Sequence, residues 1–271
     1  MGLTGVRRSF GLRIKPFLAV MLIALGVLVP AGPAGAIIGG APDGNGHPYV
    51  AAVGPPKPLL VASGTLISPT VVLTAAHVAN RRLGTGQARV TFDPVADASA
   101  TWYTGTAYAN PDYDPSNLSG SGDWGVIVLE APVSGITPAS LPREGLLDEL
   151  GPPGLSQSGL TGVGYGISER ASDIGEGKPG RDFSSGGTRR VAQETFTGLT
   201  PSYLKVRMEG GAEICSGDSG GPSLLGSSNV VGGVTAIEGS LAGGECRSNP
   251  WYERVDTPAA RAFLGQYVTL P

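Results

Sequence analysis

Cysteine and histidine are scarce in this 271-residue chain, two of each, and the scarcity removes whole classes of function. Two thiols and two imidazoles cannot assemble a zinc cluster in the usual way, so no metal centre is expected. Long apolar runs are missing after position 29, so no later stretch is built to cross a membrane. Repeats of solenoid period are also lacking. A cationic excess is absent too, with 19 Lys and Arg against 22 Asp and Glu. Phosphate backbones need clustered cations, and the acidic balance argues against nucleic acid as a partner.

What is there begins with a leader. Arg7, Arg8, Arg13 and Lys15 precede an apolar run, Phe17 to Val29, closed by Pro30 and ending in the small residues Ala34, Gly35 and Ala36. A basic start, a short apolar centre and a small-x-small end describe a secretory signal peptide. Thirteen apolar positions are too few for a permanent span. The expected division is therefore a signal peptide over 1–36 and one domain over 37–271. Cleavage at Ala36–Ile37 removes four cations and no carboxylate. It leaves 15 Lys and Arg against 22 Asp and Glu, a formal charge of −7. The mature chain is expected outside the cell, monomeric, without stable membrane association. Cys215 and Cys246 fit one disulfide in that oxidising setting.

Past Tyr49 the pattern is of short β-type runs broken by Gly, Pro, Ser and Asn. Expected strands are Tyr49–Val53, Gly64–Ile67, Val71–Thr74, Ala88–Phe92, Trp102–Ala107, Val126–Leu129, Gly159–Val163, Arg190–Thr197, Tyr203–Met208, Pro222–Leu225 and Val230–Ala236. Such a series suggests an all-β sandwich or barrel. One helix is expected, at the end. Thr257 can cap it, Pro258 fits its first turn, and Ala260, Phe263, Leu264, Tyr267 and Val268 recur at helical spacing. Ile167 to Gly187, polar and rich in glycine, is read as a long mobile surface loop.

The octapeptide CSGDSGGP, Cys215 to Pro222, contains Gly217-x-Ser219-x-Gly221. Alone, a Gly-x-Ser-x-Gly pattern also describes a plain glycine-rich turn. A serine nucleophile needs a base, normally histidine, and both His47 and His77 precede Ser219. The α/β-hydrolase order places histidine after serine, so that fold is excluded by counting. LTAAHV sets His77 just past an expected strand, and GDWGVIVLE sets Asp123 just before one. By default a lone His is structural and a lone Asp a turn residue. Together with Ser219 they supply base, orienting acid and nucleophile in the order His77, Asp123, Ser219, which differs from the subtilisin order.

With TAAH and GDSGGP in this order, and with IIGG, SGTLIS, DWGVIVL and TGVGYG between and before them, the chain resembles the chymotrypsin/trypsin family of serine proteases. The likeness runs from Ile37 to the terminal helix. It implies two six-stranded antiparallel β-barrels with a C-terminal α-helix and an active site in the cleft between the barrels. Carried onto this sequence, His77 is the general base, Asp123 its orienting carboxylate and Ser219 the nucleophile. The N–H groups of Gly217 and Ser219 form the oxyanion hole, each donor contributing about 3 kcal/mol in the transition state. The resemblance also pairs a freed Ile37 amine with the Asp218 carboxylate, and Cys215 with Cys246 beside the specificity pocket. The family's disulfide around the catalytic histidine is missing on both sides, with Ala62 and Val78 at the matching positions.

The expected specificity pocket comprises Glu213, Thr235, Ile237 and Trp251. Glu213 matches the pocket floor, where a carboxylate favours Arg or Lys before the scissile bond; the competing reading turns it to solvent. Bulky Ile237 and Trp251 would narrow the pocket. His47 reads as a surface residue. The expectation is a cofactor-free endopeptidase acting on protein or peptide substrates. The alternatives are a catalytically impaired binding protein of the same fold and an esterase using the same apparatus.

Overall fold

A computed structural model describes residues 37–271 apart from 57–61, 84–85, 118, 170–185, 237–245 and 247, together with residues 1, 2 and 5. The expected signal peptide, most of the expected loop at Ile167–Gly187 and Ile237 lie outside the described residues. Those that follow belong to the unit Pro33–Pro271.

Two closed antiparallel barrels form the molecule. The first uses β2 (Val50–Gly54), β3 (Ala62–Ser68), β4 (Val71–Thr74), β5 (Gln87–Thr91), β6 (Tyr103–Ala109) and β7 (Gly125–Leu129), joined in the order β2-β3-β4-β7-β6-β5 and closed by β5 on β2. The second uses β8 (Leu160–Gly164), β9 (Arg190–Leu199), β10 (Tyr203–Met208), β11 (Pro222–Leu225), β12 (Val231–Thr235) and β13 (Trp251–Arg254). Its order is β8-β9-β10-β13-β12-β11, closed by β11 on β8. The two rings share one winding scheme although no internal repeat is visible in the sequence. Closure leaves few free strand edges. The short β1 (Ala41–Pro42) adds to β9, with Pro42 opposite Arg190.

Strand composition accounts for the packing. In β2, Val-Ala-Ala-Val-Gly is buried throughout, small residues letting neighbouring elements approach from both faces. In β6 burial alternates about Gly105 and Ala107, the period-2 sign of a half-solvated strand. One apolar cluster runs from Leu66, Leu73 and Ile127 in the first barrel to Val163, Leu224 and Val234 in the second. It also receives Ala260, Phe263 and Leu264 of the terminal helix α2 (Pro258–Leu264). Thr257 caps α2 through Ala260 N–H, 3.2 Å, as its sequence implies.

A second helical element was not expected. Residues Leu146–Ser158 form α1 between the barrels, over a satellite cluster of Leu147, Leu155, Leu160, Leu204 and Tyr252. Gly151-Pro152-Pro153 reads as a helix breaker, and locally it is one: Gly151 has φ 58° and separates two short helical pieces. The prolines then open the second piece, where their missing N–H groups cost nothing. Strand β13 was likewise absent from the expected set. No helix among the described residues is long and apolar enough to cross a membrane.

Candidate active site

His77 follows β4 after two alanines and precedes a π-helical turn, Val78–Arg82. Asp123 lies in the irregular stretch just before β7. Both are essentially inaccessible, His77 at 1% and Asp123 at 0% exposure. The carboxylate holds the histidine at two points. Oδ1 accepts the His77 backbone N–H at 2.8 Å, and Oδ2 lies 2.7 Å from Nδ1. An acceptor on Nδ1 assigns the ring proton to that nitrogen and leaves Nε2 as the basic lone pair. Nε2 is buried and has no hydrogen-bond partner among the described residues.

Ser219 sits on the turn between Cys215 and β11. The Asp218 N–H donates to Cys215 O at 3.0 Å and Gly221 N–H to Asp218 O at 2.9 Å, so the backbone folds back on itself at the serine. The turn is fastened to the first barrel by Ser63. Its N–H donates to Ser219 O at 2.9 Å, its hydroxyl donates to Gly217 O at 2.9 Å, and that hydroxyl accepts Tyr165 N–H at 2.9 Å. Gly220 (φ +84°) lies so close to β3 and β4 that a Cβ there would stand 2.2 Å from Thr74 Oγ1 and 2.4 Å from Ser63 O. The serine turn therefore abuts the strand end that carries His77. Among the described residues neither Gly217 N–H nor Ser219 N–H has an intramolecular acceptor. An oxyanion would fill that need.

The N-terminal segment meets the same turn. Ile37 is fully buried with Ala192, Met208, Ala212 and Ile214, and its backbone N–H bonds the Asp218 carboxylate. That carboxylate also accepts Gly166 N–H and Cys215 N–H, each at 2.9 Å. Burial pushes the Asp218 carboxyl up to about 7, and the three N–H donors only partly offset this. The enclosure is tight: a Cβ on Gly166 would come within 2.7 Å of the Asp218 carboxyl carbon. Further along the segment, buried Arg189 donates to Asp43 Oδ2 (2.9 Å), Gly44 O (2.6 Å), Val50 O (3.0 Å) and Phe92 O (2.9 Å), stitching it to the first barrel. His47, expected simply at the surface, is half-buried and joins this cluster through Asp43, with 2.5 Å between Nδ1 and Oδ1.

The pocket residues divide. Cys215 is bonded to Cys246. Thr235 is buried, its hydroxyl donating to Gly221 O at 2.9 Å. Half-buried Glu213 bridges to Ile38, whose carbonyl accepts its N–H at 2.9 Å. Trp251 packs at a tilt against Tyr203 and receives Lys205, whose Nζ lies 3.5 Å from the ring centroid; it is the next residue, Tyr252, that is fully buried in the second barrel. The Tyr252 hydroxyl donates to Glu194, which also accepts Ser223 Oγ–H at 2.6 Å. Burial raises the Glu194 carboxyl to about 7, those two donors opposing. Ser63, Arg189, Glu194 and Glu253 were all missed from sequence. For Ser63, Glu194 and Glu253 the one available sign is a polar or charged residue at an inward strand position, and it names no partner; Arg189 lies just ahead of β9.

Comparison with known proteins gives the family and the fold. A family model described as Trypsin matches residues 37–255. The chymotrypsin of Phaedon cochleariae is 28% identical over 198 residues, 69% of this chain, and the match spans 65% of that relative's length. Among solved structures, HL collagenase superposes with a TM-score of 0.64 at 21% identity, covering 85% of this chain and 97% of its own. Human heparin binding protein gives 0.62 at 21% identity, covering 86% and 96%. Neuropsin, a serine protease expressed in the limbic system of mouse brain, gives 0.60 at 18%, covering 85% and 97%.

Proposed function

Because the chain belongs to the trypsin family of serine proteases, we propose that it is a secreted endopeptidase whose triad is His77, Asp123 and Ser219. The observation that carries this reading is the two-point hold of Asp123 on His77, beside a serine turn whose Gly217 and Ser219 amides await an acceptor. Ser219 Oγ attacks the peptide carbonyl and His77 Nε2 takes its proton. The oxyanion rests on the N–H groups of Gly217 and Ser219, and the imidazolium returns its proton to the leaving amine. Water then hydrolyses the acyl-enzyme by the same route. No cofactor enters these steps.

Export and activation are, in this proposal, one cut. Removal of residues 1–36 frees the Ile37 amine, whose nitrogen already bonds Asp218, and turns an amide contact into an ion pair. A carboxylate as deeply buried as Asp218 is costly without such a partner, so the pair holds the oxyanion turn. Glu213 supplies a preference for Arg or Lys before the scissile bond. N-terminal sequencing of the secreted chain should begin at Ile37, and cleavage sites in a mixed peptide library should be enriched in Lys and Arg on their N-terminal side.

One observation favours a second reading, a binding protein of this fold without turnover: His77 Nε2 has no hydrogen-bond partner among the described residues. A fluorophosphonate decides between them. Stoichiometric labelling of Ser219, abolished in His77→Ala, supports the protease; an unlabelled, folded chain supports the binding protein.

A further inference from the structure

Glu253 stands in β13 of the second barrel, yet its side chain serves the first. It is fully buried. Its Oε1 accepts Ser121 N–H at 2.8 Å, Ser121 Oγ–H at 2.8 Å and Gly122 N–H at 3.1 Å. The Asp123 N–H, next in the chain, also favours the charged form of this carboxylate. Two consecutive backbone donors and a hydroxyl of an irregular loop, immediately ahead of Asp123, thus converge on one side chain from the opposite barrel. The neighbours reinforce the grip. Tyr203 Oη accepts Ser121 N–H at 3.2 Å, and the carbonyl of Arg254 accepts the Trp124 indole N–H at 3.0 Å. Gly122 turns at φ +69° within this cradle, so without an acceptor on the second barrel the loop has little regular structure to hold its course.

We propose that Glu253 is a positioning residue for Asp123, fixing the acid of the first barrel from the second barrel and so setting the alignment of His77 with Ser219 across the cleft. The inference rests on the triad reading above. It does not require Glu253 to be charged. Burial raises its carboxyl above the ordinary value, with nearby Asp123 adding to the effect and the loop donors opposing it. Oε2 has no hydrogen-bond partner among the described residues, so a proton there leaves Oε1 free to accept. A glutamine keeps that oxygen and loses no contact made by the other, whereas alanine removes the acceptor altogether.

The test compares the secreted chain with Glu253→Gln and Glu253→Ala, reading kcat and KM on a peptide substrate, the rate of Ser219 labelling by a fluorophosphonate, and the proton resonance of His77 Nδ1–H. Expected are at least a thirtyfold loss of kcat and labelling rate in Glu253→Ala with KM within twofold. Its Nδ1–H resonance should move upfield, and Glu253→Gln should stay within threefold of wild type. If Glu253→Ala is not secreted folded, Ser121→Ala removes one donor of the three and should lower kcat three- to tenfold. Folded Glu253→Ala, or in its place Ser121→Ala, with wild-type kcat overturns the inference, as do equal losses in the Ala and Gln variants of Glu253. In each of those cases a labelled wild type leaves the protease reading intact. A wild type that the fluorophosphonate does not label removes that reading, and the inference with it.

Discussion

Cutting the bond ahead of Ile37 should change how stability depends on pH, and the structure gives sign and size. In the uncut chain Asp218 is enclosed with amide donors only, and its carboxyl rises from 3.8 to about 7. A carboxyl raised on folding contributes stability that is fully present below its unfolded value and is lost as pH climbs through its folded value. Across that window, pH 4 to 7, the uncut chain should lose about 4 kcal/mol through this one group, at about 1.4 kcal/mol per pH unit of displacement. Freeing the amine sets an ammonium against the carboxylate, draws the carboxyl back down and removes most of the loss. The comparison is between a chain beginning at Pro33 and one beginning at Ile37, unfolded in urea at pH 4, 5, 6 and 7. Glu194, raised from 4.5 to about 7, is common to both and cancels in the difference. At pH 7 the Ile37 chain should be the more stable by about 4 kcal/mol, and near pH 4 the two should converge. Parallel curves at all four values would refute the ion pair as the activation device.

Glu194→Gln should flatten the remaining dependence between pH 4.5 and 7 in both chains and raise the urea midpoint at pH 7, the sign that follows from a carboxyl whose folded value is raised; a lower midpoint there would show the carboxylate to be stabilising. Asp123→Asn keeps an oxygen for the His77 N–H but offers Nδ1 an amide, so peptide hydrolysis should fall roughly 10⁴-fold while the thermal midpoint moves little; comparable turnover would dismiss Asp123 as the orienting acid. Replacing Cys215 and Cys246 together by serine opens a crosslink over a separation of 31 residues and should cost about 3–4 kcal/mol in a urea titration.

How much was legible beforehand follows local periodicity. Val71–Thr74, Tyr203–Met208 and Pro222–Leu225 matched residue for residue, because each is a short run bounded by a turn or by residues that break a strand. Thr257-Pro258 marked the start of α2 for similar reasons. What escaped depends on partners distant in sequence. The chain at 251–254 carries two charged residues, and its strand character comes from the backbone pairing of Tyr203 with Glu253 and of Thr235 with Tyr252. Helix α1 hides behind Gly151-Pro152-Pro153, whose strongest local signal is a stop. His77, Asp123 and Ser219 could be put forward together because residue type and order constrain acyl-transfer chemistry. Ser63, Glu194 and Glu253 could not, since nothing near them in the chain says whose N–H or carbonyl they will meet.

Ile37 adopts φ 51°, a left-handed twist that a β-branched side chain rarely tolerates and that costs roughly 1–2 kcal/mol. That torsion exists only while an acyl group precedes the nitrogen. If the chain is cut before Ile37, as proposed, that joint is the bond broken, and severing it would discharge the tension into the new terminus beside Asp218. Such a cut would act as a ratchet, since its product would have no mechanical incentive to withdraw.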